Sequence, residues 1–390
     1  MFELLWLLLP VAALSGWLVG RGGGASRRGP ERAFSREYFR GLNYLLDEQP
    51  DKAIEVFTRM VEVDSETVDT HFALGNLFRR RGEVDRAIRI HQNLIARPTL
   101  GQGERDNALL ELGKDYMRAG LLDRAEDLFQ EVAARRHREE TALRHLMDIY
   151  QQEKEWEDAI RVATRLEAIT GRDTRSLRAQ FVCEQAEEAL EAAGDTRTAR
   201  SLVKRAISIA PDCVRASLLR GEIERRDGNW RAAVEAFRQV GEQDVAYLPE
   251  VLDAMQGCHR ELGDLDSMAD YLRNVLTRYD GVSVAKALAE LLRERQGRQA
   301  AVDFMAEQMR QRPSVRGLLR LVELNLDPDD PDRRRQRDLR MLQGMLTALI
   351  RERPAYRCRS CGFEAKRLHW HCPSCRDWAT IKPIKGVQGE

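Results

Sequence analysis

Gly75-Asn-Leu-Phe-Arg-Arg-Arg-Gly82-Glu-Val-Asp-Arg-Ala87-Ile-Arg-Ile-His91 decides the fold. Its landmarks appear thirty-four residues upstream as Gly41, Ala53 and Phe57, and downstream, after a four-residue insertion, as Gly113, Ala125 and Phe129. A chain breaker falls between the small residues each time: Gln49-Pro50-Asp51, Arg81-Gly82-Glu83 and Ala119-Gly120-Leu121. Glycine and proline punctuate local structure, so each unit reads as helix, turn, helix. Small residues on the first helix (Gly41, Gly75, Gly113, Gly221, Gly257) and on the second (Ala53, Ala87, Ala125, Ala159, Ala233, Ala269) let paired helices approach closely. Phe57, Phe129 and Phe237 are expected to fill the space between neighbouring units.

The pattern continues along the chain. Asp227-Gly228-Asn229 and Leu262-Gly263-Asp264 supply further turns, and Pro98, Pro211 and Pro313 end second helices. A fifth unit, around Ala193-Gly194-Asp195 and Ala199, follows Ala159 by forty residues. An eighth is expected on Leu288, Ala300 and Phe304, and a ninth near Val315. Thirty-four residues per helix-turn-helix is the period of a tetratricopeptide repeat. An ordinary helical bundle does not explain three positions agreeing at one spacing. The chain therefore reads as an all-α solenoid of about eight to nine tetratricopeptide units over residues 35–325. Stacked units offer surfaces that bind peptides or proteins, although a solenoid also serves as a passive spacer.

Two different segments flank the array. Phe2 to Gly20 is almost wholly apolar, and about 20 such residues cross a bilayer. Glu3 is its only charge, Trp6 and Trp17 lie near the ends where indoles anchor a span, and a lipid-embedded helix tolerates Pro10. A cleaved signal peptide would carry positive charge before the apolar run. Here Arg21, Arg27 and Arg28 follow it, which holds the C-terminal side in the cytoplasm. The expectation is a transmembrane anchor over 1–20 and a Gly/Arg-rich tether over 21–34. Beyond the array, Leu326-Asp-Pro-Asp-Asp-Pro-Asp-Arg-Arg-Arg335 has no apolar period, then Leu339, Leu342, Leu346, Leu349 and Ile350 return at helical spacing. Residues 326–353 thus read as a linker and connecting helix leading to a separate module at 354–390.

That module holds Cys358-Arg-Ser-Cys361 and Cys372-Pro-Ser-Cys375, the spacing of a tetrahedral four-thiolate metal site. Gly362 is free to take a positive φ behind the first knuckle, and Pro373 stiffens the second. The expected fold is a zinc ribbon or rubredoxin-like unit too small to hold together without its metal. Four thiolates suit zinc, the physical default, and also a single iron. Four cysteines already close the shell, so His369 and His371 are read as non-ligands. Tyr356, Phe363, Trp370 and Trp378 are expected to form a miniature core or a docking face. Cys183, Cys213 and Cys258 stand apart in helical sequence and read as small buried apolar residues, a usage that suits a reducing compartment.

Charge narrows the function. Lys plus Arg and Asp plus Glu are both 63, eight of the bases being lysine and 55 arginine, so the chain has no long-range field for a polyanion. Residues 354–390 hold seven bases against three acids with aromatics interleaved, a pattern shared by small nucleic-acid ribbons and protein-docking modules. Protein docking is preferred, and an RNA-binding regulator is the weaker option. The sequence has no Gly-x-x-x-x-Gly-Lys-Ser/Thr loop, His-Glu-x-x-His helix or Gly-x-Ser-x-Gly elbow, so it reads as no enzyme.

An anchor, a tetratricopeptide array and a terminal Cys358-x-x-Cys361-Gly, His-x-Cys372-Pro-x-Cys375 module, in that order, resemble the lipopolysaccharide assembly protein B family of Gram-negative bacteria across essentially the whole chain. The resemblance implies a single-pass inner-membrane protein with its bulk in the cytoplasm. It implies an adaptor that promotes degradation of the lipid A pathway deacetylase by a membrane-bound AAA+ metalloprotease, so limiting lipopolysaccharide synthesis. Other envelope-biogenesis proteins and a homodimer are further partners it allows, with no nucleic acid. The other reading is a membrane-tethered scaffold that gathers envelope biosynthetic enzymes.

Overall fold

The computed structural model describes residues 30–63, 67–192, 194–279, 281–327, 331–351, 353–386 and 389. The expected anchor at 1–20 lies outside the described residues, as does the tether up to Gly29. From Pro30 the chain is helical, so residues 30–34 belong to the first helix and not to the tether. Proline suits that place, because the first helical residue has no use for its N–H. Among the described residues no helix is long and apolar enough to cross a membrane.

The chain divides into two compact units between Lys154 and Glu155. The first contains the helical hairpins Pro30–Leu46 with Pro50–Val63, Val68–Arg81 with Val84–Ile95, and Gln102–Ala119 with Leu122–Ala134, then the helix Glu139–Glu153. The second begins with Trp156–Thr170. It continues with Arg175–Ala192 and Thr196–Ile209, Val214–Arg226 and Trp230–Gln243, Leu252–Glu261 and Leu265–Leu276, and Val282–Gln296 and Arg298–Gln311. These are the expected tetratricopeptide hairpins. Gly82 (φ 86°) and Gly120 (φ 77°) close their helices in the left-handed conformation that a side chain resists, which explains glycine at those turns.

Four hairpins are closed by one small residue facing one large one, whereas Gly257, expected to serve the same end, has nothing within 4 Å of its missing Cβ. A Cβ added to Gly41 would lie 2.6 Å from the Phe57 ring, and one on Gly113 2.6 Å from Phe129. Gly221 meets Phe237 still more closely. The phenylalanines, expected to fill space between units, thus pack first on the glycine of their own hairpin. Phe129 also reaches the following helix, where it stacks on His145 at 4.9 Å. In the second repeat His91 takes the phenylalanine position against Gly75. Its Nδ1 lies 2.5 Å from Asp115 Oδ2, both side chains are fully buried, and Asp115 Oδ1 accepts from Arg79 Nη1 at 2.8 Å. Arg79 also donates to Glu111 at 2.6 Å, so a paired charge network replaces an aromatic contact between the second and third repeats.

Two expectations of register change. The eighth repeat buries Ala289, Ala301 and Met305, one residue later than Leu288, Ala300 and Phe304. The twelve-residue interval from Ala289 to Ala301 matches that from Gly75 to Ala87, and alanine simply stands where other repeats have glycine. The helix Val315–Asn325, capped by the Ser314 hydroxyl, does begin a ninth hairpin. Its second arm is Arg333–Arg351, the segment expected as a connecting helix. Gln336 is buried there and accepts from the Asp327 N–H at 3.0 Å, which ties the helix to the array.

Overpacking a closed core costs about 1–3 kcal/mol, so Gly113→Val should lower the thermal unfolding midpoint. Gly257 sits mid-helix with nothing near its missing Cβ, so Gly257→Ala should raise that midpoint. Burial, and then the Lys114 charge, lower the His145 pKa to about 4. The neutral ring is favoured in the folded state, so stability should fall as pH drops from about 6.5 toward 4. His145→Phe should flatten that decline in urea melts across this range.

Candidate metal centre and its docking surface

The C-terminal module is a three-stranded antiparallel sheet in the order β2-β1-β3, formed by Tyr356–Cys358 (β1), Glu364–Ala365 (β2) and Ile381–Pro383 (β3). Cys358 pairs in register with Ile381, and Tyr356 with Ala365. Behind Cys361, Gly362 has φ 79°, as its place in the knuckle suggested. Arg376 holds the same place behind Cys375 with φ 62°, a conformation that costs a non-glycine residue about 1–2 kcal/mol.

The Sγ atoms of Cys358, Cys361, Cys372 and Cys375 all lie within 4.8 Å of one another. Cys358 and Cys375 are 3.7 Å apart, and so are Cys361 and Cys372. Tetrahedral metal–thiolate bonds of about 2.3 Å place sulfurs about 3.8 Å apart, so this set fits one ion bound by four thiolates. His369 and His371 do not belong to the cluster. His371 instead stacks flat on Trp378 at 4.5 Å. Burial works against ionising Cys358, but the Thr380 hydroxyl and the backbone N–H groups of Cys361 and Ser360 outweigh it and bring the thiol down to about 6. Cys375 goes the other way: the Asp377 backbone N–H works against it, but burial and the neighbouring cysteines push it up to about 12, so what fits an ion is the spacing of the four sulfurs.

One face of the module is built into the second unit. Trp370 stacks on Tyr247 at 5.2 Å, and Tyr247 donates its hydroxyl proton to the Ile381 carbonyl at 3.0 Å. Burial, then Asp244 and Glu250, push the Tyr247 pKa up, so its hydroxyl stays a donor. Trp378 meets Phe181 edge-on at 5.6 Å and Trp156 at 6.2 Å. Edge-to-face contacts suit the ring quadrupoles. Around this aromatic centre Tyr356 donates to Glu250 at 2.7 Å, and Lys382 pairs with Asp244 at 2.6 Å.

Beneath Trp370 lies Arg215, only 2% exposed. Its guanidinium donates to both Glu187 oxygens, at 3.0 and 2.7 Å, and to Glu184 at 2.8 Å, while the Trp370 ring covers it at 5.8 Å. Burial opposes its charge, but Glu187 and Glu184 keep the pKa raised. A planar fork is suited to such bidentate and stacked contacts.

The sequence reading placed Trp370 and Trp378 in a core or docking face, and they form the docking face. Tyr356 and Phe363 pack instead beside the buried cysteines. Trp370 and Trp378 are engaged by the repeats, so they do not offer the open stacking platform a nucleic-acid ribbon uses. Cys183, Cys213 and Cys258 are buried as expected. Cys183 and Cys213, distant in sequence, come into side-chain contact. Sequence reasoning missed Phe181, Arg215, Asp244, Tyr247 and Glu250. A weak signal was present: Ala233 to Ala269 spans thirty-six residues, two more than the repeat period, and between them lies a 3-10 turn, Val245–Glu250, that carries Tyr247 and Glu250.

A rubredoxin metal binding domain model matches residues 356–383, and tetratricopeptide repeat models match 70–105 and 186–244. Over 391 residues, covering 100% of both chains, the sequence is 39% identical to Lipopolysaccharide assembly protein B of Escherichia coli strain K12. The chain belongs to the lipopolysaccharide assembly protein B family. Its relative of that name from Haemophilus influenzae is 36% identical over 398 residues, again covering 100% of each. In this member of the lipopolysaccharide assembly protein B family, the ribbon shares one compact unit with the helices from Trp156 onward.

Trp370→Ala should leave metal content unchanged while exposing the segment before Tyr356 to limited proteolysis, because the thiolate cage is local and the docking is not. Stripping the metal with a chelator should do both: melt the module and uncover Arg215, read as a rise in acrylamide quenching of tryptophan fluorescence.

Proposed function

We propose that the chain is a non-catalytic adaptor of lipopolysaccharide assembly, held at the inner membrane by residues 1–20 with its bulk in the cytoplasm. In this reading Cys358, Cys361, Cys372 and Cys375 bind one structural metal ion, zinc, which keeps the ribbon docked so that repeats and ribbon form one binding surface. Its partners are the membrane-bound AAA+ metalloprotease and the lipid A pathway deacetylase. The anchor confines adaptor and protease to one plane, which raises effective concentration without any new contact.

The observation that carries this reading is full-length similarity to proteins named for lipopolysaccharide assembly, joined to a site whose chemistry is structural. A tetratricopeptide array supplies protein-binding surface, which supports the adaptor role. The word assembly in the relatives' name also favours a second reading, a scaffold that assembles biosynthetic enzymes.

Expression in cells depleted of their own relative separates the two. An adaptor shortens the half-life of the deacetylase and lowers lipopolysaccharide content, and Cys372→Ser with Cys375→Ser removes both effects. A deacetylase half-life unchanged by the protein, with biosynthetic enzymes recovered beside it from mild detergent, would support the scaffold and reject the adaptor.

A further inference from the structure

The helix Arg333–Arg351 carries a face that the fold leaves uncovered. Gln336, Leu339, Gln343, Leu346 and Ile350 are buried or half-buried on the side packed against the ninth hairpin's first helix. Met341, Leu342, Met345 and Leu349 are 58%, 44%, 58% and 55% exposed. At about 3.6 residues per turn these four form one stripe, and Arg333, Arg337, Arg340 and Arg351 form a second stripe beside it. The helix holds six arginines and one acid, Asp338, in a chain whose bases and acids balance as a whole.

Some exposed arginines elsewhere pair within their helix, as Arg144 does with Glu140 and Arg293 with Glu290, and others, such as Arg89 and Arg118, make no ion pair among the described residues; this helix gathers five of the second kind. Arg333, Arg334, Arg337, Arg340 and Arg351 are all exposed and make no side-chain ion pair among the described residues. An apolar stripe edged by unpaired arginines is the pattern of a helix lying in a lipid headgroup plane. The helix is not apolar enough to span. A second copy of the same face would set arginine stripe against arginine stripe, which like-charge repulsion disfavours. A free phosphate would leave the apolar stripe in water.

We propose that Arg333–Arg351 binds the surface of an anionic phospholipid bilayer, its Met341, Leu342, Met345 and Leu349 face entering the headgroup boundary and its arginines paired with lipid phosphates. The contact is separate from the N-terminal segment. It would fix how the repeats and the docked ribbon stand on the membrane.

The test uses the full chain and two native reporters, Met341 and Met345, whose hydroxyl-radical oxidation is read by mass spectrometry against buried Met305. The protein is mixed with phosphatidylcholine vesicles or with vesicles containing roughly 40 mol% phosphatidylglycerol. Each arginine near such a surface is worth about a fivefold change in partitioning. Oxidation of both methionines should be at least about fivefold slower with anionic vesicles, and the protection should vanish in about 0.5 M salt or in Arg337→Gln/Arg340→Gln. The N-terminal segment alone would bring the chain to both vesicle types, so it cannot produce the difference. Equal oxidation with the two vesicle types overturns the proposal. So does protection without lipid that rises with protein concentration, which would assign the face to a protein partner.

Discussion

Everything distinctive about this chain hangs on four sulfurs held at metal-binding distance. A sheet of strands three, two and three residues long cannot bury enough apolar surface to stand alone. The cross-link through a metal supplies what the core lacks, and it fixes the direction in which Trp370 and Trp378 project. Those two rings are the contact with the repeats. Without the cage they have no rigid base, and Arg215 with its two glutamates loses its cover.

The repeats follow a different logic. A close approach of two helices needs a small residue on one and a large one on the other, and the pairs Gly41 with Phe57, Gly113 with Phe129 and Gly221 with Phe237 meet that need inside each hairpin. Because the requirement is local, it tolerates exchange. Histidine replaces phenylalanine at 91, where its Nδ1 meets Asp115 and Arg79 in turn pairs with Asp115. Alanine replaces glycine at 289. Such tolerance lets one architecture carry different surfaces along its length, a charged network in the first unit and an aromatic shelf for the ribbon in the second.

The closing helix joins these two parts in sequence but serves neither core fully. One side completes the ninth hairpin and leads the chain into the ribbon, while the opposite side keeps methionine and leucine in the open beside exposed arginine. Sequence periodicity put Leu342 and Leu349 in the same set as Leu339, Leu346 and Ile350. Only packing against a neighbour separates the five residues into an inner and an outer group, since a helical period reports that a side is apolar and not what covers it.

The sequence by itself determined what depends on short-range chemistry. Period, turn glycines and the four cysteines at their spacing each express a constraint that acts within one hairpin or one knuckle, so the helical hairpins were legible, though the eighth packs one residue later and the helix expected as a linker completes a ninth. Tertiary structure alone decided what depends on residues far apart along the chain. Arg215 meeting Trp370, Tyr247 receiving the ribbon, and Trp378 between Phe181 and Trp156 join positions separated by more than a hundred residues. Nothing in local spacing marks such partners, because a buried arginine and an exposed one look alike until the fold removes the water.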